Sequence, residues 1–154
     1  MSDTSLKGQC LCGAVTVEIE PAQQVLSACH CAMCRKWTSG PLMAVHTTQP
    51  IRTEGPVKTY VSSQWAERAF CPECGSSLWY AFTAEGAHKG HCFVSAGLFE
   101  GTRDLPLSSE VYIDSKPGGY AFAGDHVRLT EAQMMAAAAD GMSMGSTGSE
   151  GEQQ

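Results

Sequence analysis

The sequence predicts a mostly β fold braced by metal–thiolate clusters, and three observations carry that prediction. Short runs alternate apolar with polar residues, the period of half-buried strands. Turn signals rich in Gly and Pro separate those runs at short intervals. Eight cysteines fall into close groups on separate segments, Cys10-x-Cys12, Cys29-x-Cys31-x-x-Cys34 and Cys71-x-x-Cys74, with Cys92 alone. Grouping of that kind is how a metal site is assembled from distant parts of a chain.

Val15, Val17 and Ile19 alternate with Thr16, Glu18 and Glu20, which predicts a strand over 14–20. If Cys10 and Cys12 lie on its extended start, period two turns both thiols to one face. Pro21, Gln23 and Gln24 end the strand, and a short extended run, 25–28, delivers the triple-cysteine segment. Trp37 to Pro41 reads as a turn, 42–47 as a strand, Glu54-Gly55-Pro56 as a turn and 57–61 as an alternating strand. Strands follow over 76–82 and 91–99, and the last core strand over 110–114. Only one segment reads as helical. Thr130-Glu131-Ala132-Gln133 fits a capping box, good helix formers follow to Ala139, and Gly141 suits the stop. Met142 to Gln154 is rich in Gly, Ser and Glu and predicts a disordered tail. The Met-Ala stripe of the helix and the residues Trp37, Trp65 and Trp79 read as packing surface.

A chain of 154 residues suits one domain and is long enough to bury a core without cross-links. Its net charge of −6 and the lack of any basic run beyond Arg35-Lys36 argue against a nucleic-acid partner. Residues 1–8 lack the apolar stretch of a signal peptide, and no apolar run approaches the roughly 18 residues of a membrane span. A soluble, cytoplasmic protein with no membrane partner is expected. In that reducing setting, the cysteines are expected as thiols or metal ligands; secretion would favour disulfides instead.

Cys71-Pro72-Glu73-Cys74-Gly75 can aim two sulfurs at one ion, and glycine after the second cysteine permits the positive φ of such a turn. Two ligands do not complete a tetrahedron, and Cys10 and Cys12 are the remaining close pair. Four thiolates make a closed, structural zinc site. A redox Cys-x-x-Cys is the alternative. Cys29, Cys31 and Cys34 form the second candidate metal site. Three protein ligands leave one position for chemistry, so these three are also the candidate catalytic residues. Arg35 and Lys36 either offset part of the cluster's charge, hold a substrate carboxylate, or are simply solvated. His30 alternates with the cysteines and, in an extended segment, points away from the ion. Cys92 reads as a small buried hydrophobe. Arg68 reads as a structural cation, and His46, His88, His91 and His126 show no partner.

Gly8-x-Cys10-x-Cys12-Gly13, Cys29-His30-Cys31-x-x-Cys34-Arg35-Lys36 and Arg68-x-Phe70-Cys71-x-x-Cys74-Gly75-Ser76-x-Leu78 together resemble the glutathione-dependent formaldehyde-activating enzyme family. That family also includes centromere protein V. The resemblance spans about residues 8–117 and implies a β-tent fold with two zinc sites. Cys10, Cys12, Cys71 and Cys74 would hold the structural ion, and Cys29, Cys31 and Cys34 the catalytic one. It also implies a carbon–sulfur lyase that joins glutathione, as co-substrate, to formaldehyde. The sequence departs from the family pattern in two places: Glu110 stands where the family often shows histidine, and Tyr120 where it shows tryptophan. The resemblance divides the chain into a zinc domain, residues 5–128, and a C-terminal helix with a flexible tail, residues 129–154. The expected partner is a small thiol or aldehyde. Two other readings share the motifs: a non-catalytic zinc-stabilised binding module, and a thiol redox sensor built on the triple cluster.

Overall fold

The computed structural model describes residues 4–139. They are mostly β, with eleven strands, two helices and three short 3₁₀ turns. The chain folds as two compact units. Of the described residues, the first takes 4–25 and Ala44–Leu105, and the second takes Leu26–Met43 and 106–139.

In the first unit, β1 (Leu6–Gln9), β2 (Thr16–Ile19) and β5 (Arg52–Glu54) form an antiparallel sheet in the order β1-β2-β5. Val15, Val17 and Ile19 are buried while Thr16 and Glu20 are exposed, as the alternation predicts. Each such apolar side chain contributes about 1.5–3 kcal/mol by leaving water. The other strands of this unit are β4 (Leu42–Thr47, the part from Ala44 onward), β6 (Lys58–Val61), β7 (Ala66–Phe70), β8 (Ser77–Phe82) and β9 (Cys92–Ser95). They pair antiparallel in the order β4-β9-β8-β7-β6. Leu78, Val45 and Val94 are fully buried. Arg68 is buried with its guanidinium 5.1 Å from the centre of the Tyr80 ring, consistent with a structural cation. Trp65 is exposed, against the expectation of a packing role.

The second unit is built on parallel pairing. β10 (Leu107–Val111) lies between β3 (Leu26–Cys29) and β11 (Val127–Leu129), parallel to both. The strand expected over 110–114 is therefore displaced towards the N-terminus, and Ile113–Ser115 is a 3₁₀ turn. The run expected to be extended through 99 also ends early, at Ser95, in two 3₁₀ turns.

A helix that the periodicity did not predict, α1 (Ala32–Thr38), carries the end of the triple-cysteine segment. Seven residues are too few to display a helical apolar repeat, so Trp37 and Thr38, read as part of a turn, instead end this helix. What holds α1 is local chemistry. The Cys34 N–H donates to Cys31 Sγ at 3.4 Å, so cysteine serves as the N-cap. Ser39, at φ +72°, closes the helix by donating its N–H to Arg35 O at 2.7 Å. The second helix, α2 (Glu131–Ala139), starts as predicted. Thr130 N–H donates to Gln133 Oε1 at 2.8 Å, and Gln133 N–H to Thr130 Oγ1 at 3.2 Å. Met134 packs inward while Met135 is exposed, so only part of the Met-Ala stripe is a packing face. The expected helix stop at Gly141 and the tail from Met142 lie outside the described residues. No helix among the described residues is long and apolar enough to cross a membrane.

Candidate metal centres and the buried polar network

Two groups of cysteines come together, each within a single unit, and they are the two that spacing grouped. In the first unit, the sulfurs of Cys10, Cys12, Cys71 and Cys74 all lie within 4.8 Å of one another. Cys10 and Cys12 do not lie on an extended strand start, as expected, but in a tight turn after β1. Cys10 N–H donates to Val15 O at 3.0 Å and Gly13 N–H to Cys10 O at 3.1 Å. Cys71 to Ser76 repeats the device between β7 and β8. Gly75 N–H donates to Cys71 O at 2.8 Å and Cys71 N–H to Ser76 O at 3.0 Å. Gly13 and Gly75 sit at φ +82° and +81°, a conformation that costs other residues about 1–2 kcal/mol. A turn, not a strand, lets the cysteines converge.

The donor set fits an ion of zinc's size and softness. Four thiolates bonded at about 2.3 Å in a tetrahedron stand roughly 3.8 Å apart. Cys10 and Cys12 are 3.7 Å apart here, and Cys12 and Cys71 are 3.9 Å apart. Backbone and hydroxyl donors already favour thiolates. Val15 N–H reaches Cys10 Sγ at 3.3 Å. Burial opposes the Cys10 thiolate, but that bond and the Cys12 and Cys71 thiols hold its pKa below the ordinary thiol value. The Ser76 hydroxyl, then the Ser76 backbone, pulls Cys74 down to about 5. Ser76 Oγ also accepts from Leu11 N–H at 3.0 Å, which ties one turn to the other.

In the second unit, Cys29, Cys31 and Cys34 bring three sulfurs within 4.8 Å of one another. Among the described residues no fourth Cys, His, Asp or Glu joins them. Cys29 ends β3, opposite Val111 of β10, while Cys31 and Cys34 lie at the start of α1. The three thiols share their protons unequally. Hydrogen bonds from Cys29 and Cys34 pull Cys31 down to about 2, and the same sharing pushes Cys29 up. Such a cluster needs a positive charge among its sulfurs, which a metal ion provides. Tyr112 follows Val111 at φ +58°, a strained conformation for an aromatic residue. Burial, then the charge of Cys29, Cys31 and their neighbours, pushes its phenol up to about 12. Arg35 Nε donates to His30 O at 2.9 Å, while Lys36 is exposed.

His30 is fully buried, and both its ring nitrogens are engaged away from the sulfurs. Nε2 donates to Glu110 Oε1 at 2.7 Å, and Nδ1 lies 3.0 Å from Tyr120 Oη. It therefore adds no ligand to the cysteines on either side of it, and it is not a surface residue. Glu110, 1% exposed, also accepts from His126 Nε2 at 2.5 Å and Arg128 Nε at 3.2 Å. Glu110 and Tyr120, the two positions the resemblance singled out, thus meet on one histidine. No spacing could announce this, because the partners stand 80 and 90 residues from His30.

Burial acts to raise the Glu110 pKa, but hydrogen bonds from His126 and His30 outweigh it and hold the carboxyl below its ordinary value. A depressed carboxyl contributes stability above the unfolded-state carboxylate pKa and loses it as pH falls through the lower folded value. Glu110→Ala is expected to cost about 3–5 kcal/mol near neutral pH, the usual loss when one partner of a buried ion pair is removed. The difference from the parent should shrink in acid, below the ordinary carboxylate range. Denaturant unfolding of the two proteins across pH checks it.

Outside both clusters, His46, His88 and His91 meet in the first unit, although the sequence showed none of them a partner. Burial, then His91 and His88, pushes His46 down to about 4; burial, then His88, lowers His91. Cys92 is buried as expected, its thiol raised to about 11 by burial and then by Glu67. None of the eight cysteines forms a disulfide.

A solved structure of a Rhodobacter sphaeroides protein covers 67% of this chain and all of its own at a TM-score of 0.53 and 23% identity, a likeness of fold alone. A protein of Schizosaccharomyces pombe named as an uncharacterized lyase is 39% identical over 131 residues, which is 84% of this chain and 93% of the relative. The family model described as glutathione-dependent formaldehyde-activating enzyme matches residues 5–115, which include both cysteine clusters and the turns that shape them, and the chain belongs to that family.

Proposed function

We propose that this chain is a zinc-dependent carbon–sulfur lyase that forms and cleaves the adduct of a small thiol and an aldehyde. S-hydroxymethylglutathione is the type of substrate, and the cytoplasm the setting. The observation that carries this reading is the pair of unequal clusters: four sulfurs make a closed set, and three make an open one. The name of the yeast relative, a lyase, supports the reaction class.

Cys10, Cys12, Cys71 and Cys74 would hold a structural zinc ion, and Cys29, Cys31 and Cys34 a catalytic one. Bound there, zinc supplies a Lewis acid that keeps an incoming thiol deprotonated at neutral pH. In the synthetic direction the thiol sulfur bonds to the carbonyl carbon, the C=O π pair moves onto oxygen, and the proton lost by the thiol ends on that oxygen. Cleavage reverses each movement, so no oxidant or reductant enters. Tyr112 keeps its proton at Oη beside the cluster and donates a hydrogen bond to the oxygen that gains charge. Arg35 and Lys36 hold a carboxylate of the thiol substrate, and Arg35 is kept in place by its bond to His30 O.

Tyr112→Phe is expected to lower kcat about 100–1,000-fold with the metal content unchanged, the range for loss of one donor to a developing oxyanion. The reading itself is tested by metal analysis together with turnover of glutathione and formaldehyde. Two equivalents of zinc and measurable turnover are expected. No zinc beyond one equivalent would overturn it.

A further inference from the structure

Three imidazoles that neither cysteine cluster uses stand together in the first unit. His46 lies on β4, His91 directly precedes β9, and His88 lies in the loop before it. His46 Nε2 and His91 Nδ1 are 3.3 Å apart. That is long for a hydrogen bond, whose usual length is about 2.9–3.0 Å. It matches the edge of a nitrogen tetrahedron around an ion bonded at about 2.0–2.1 Å, roughly 3.3 Å. The ring centres agree. Two imidazoles bound tetrahedrally to one ion place their centres roughly 5.2 Å apart, and the His46–His91 separation is 5.0 Å; His88 stands 5.3 Å from His91 but edge-on to it, at 80°.

His88 supplies an independent observation. Both its ring nitrogens are buried, and neither has a hydrogen-bond partner. Leaving such a group unsatisfied costs free energy that a ligand would recover. The site is also held from beneath. His46 stacks on Phe93 at 4.7 Å, and Phe93 in turn stacks on Tyr80 at 5.1 Å. That aromatic floor fixes the plane of the His46 ring.

We infer that His46, His88 and His91 form a third metal site, for a divalent first-row transition ion that favours imidazole, of which zinc(II) is the test case. His46 and His91 already stand at ligand spacing. Among the described residues only the two cysteine groups have every candidate ligand atom within 4.8 Å, so His88 completes the site by rotating its side chain. The inference does not rest on lyase activity or on the occupancy of the cysteine clusters.

The test follows the ring nitrogens of the five histidines by ¹⁵N NMR while zinc(II) is added to full-length protein brought to two equivalents of zinc per chain, the number the cysteine clusters would hold. Expected is a single further equivalent that moves the ring signals of His46, His88 and His91 together and leaves His30 and His126 in place. His46→Gln and His91→Gln should each lose that equivalent while keeping cooperative unfolding and the metal already present. His88→Gln should weaken it at least tenfold. Ring signals of His46 and His91 that stay fixed on adding zinc overturn the inference, as do shifts spread evenly over all five histidines. Zinc bound as tightly by His46→Gln as by the parent overturns it too. The histidine signals report this site whether or not the cysteines hold metal, so its failure is distinct from failure of the lyase reading.

Discussion

Cys31→Ala is expected to lower turnover of the thiol–aldehyde adduct about a thousandfold and to remove one equivalent of zinc, leaving the other. Lewis-acid assistance is worth several kcal/mol of transition-state stabilisation, and each 1.36 kcal/mol is about a factor of ten in rate. Cys31 is the telling position because it does two things. Its sulfur is the one the cluster holds as thiolate, and the same atom caps α1 by accepting from Cys34 N–H. Replacing Cys31 by Ser keeps an oxygen cap for α1 but offers a much poorer ligand to a soft ion, so Cys31→Ser should fold as well as the parent and be nearly as inactive as Cys31→Ala. Cys92→Ala, outside both clusters, is the control and should keep both equivalents. Parental activity in Cys31→Ala would remove the open cluster from the reaction altogether.

Cys71→Ser should act on stability, and more strongly than any substitution in the core. Apparent binding free energies of structural zinc are about 10–16 kcal/mol, comparable with the whole stability of a domain, about 5–15 kcal/mol. Cys71 is fully buried and its turn joins β7 to β8, so the ion it helps to hold would clamp that hairpin to the turn after β1. At this chain length each kcal/mol moves Tm by roughly 2–4 °C. Loss of even half the smaller stability figure would therefore lower Tm by several degrees, and loss of the full contribution would abolish the cooperative transition. Thermal unfolding with and without a strong chelator reads this directly. The parent should lose stability on chelation, whereas Cys71→Ser should already resemble the chelated parent and respond little. A variant that melts within a degree or two of the parent, with both proteins indifferent to chelator, would leave the four-cysteine cluster without a structural role.

Much of the site was legible because its signals are short-range. Cys10 and Cys12, the triple group, and Cys71 and Cys74 each reach a common point through only a few bonds, so spacing alone grouped them. Alternation picked out the strand of Val17 and Ile19, since burial on one face is written into neighbouring residues. The cap at Thr130 and Gln133 was readable for the same reason. Local geometry was read less well. The first pair lies in a turn rather than on a strand, and α1 is too short to show a repeat.

The sequence by itself determined that two thiolate groups of different size exist, that the chain is mostly β, and where its C-terminal helix begins. Only the tertiary structure decided what surrounds them. Parallel pairing of β3 with β10 sets Ala28 beside Glu110 and Cys29 beside Val111, and from that register His30 finds a buried carboxylate while Tyr112, next after Val111, feels the charge of the thiols. Antiparallel pairing of β4 with β9 likewise brings His46 to His91 across 45 residues of chain. Register is a choice among strands far apart in sequence, made by the burial of whole faces at once, and no short window of residues contains it.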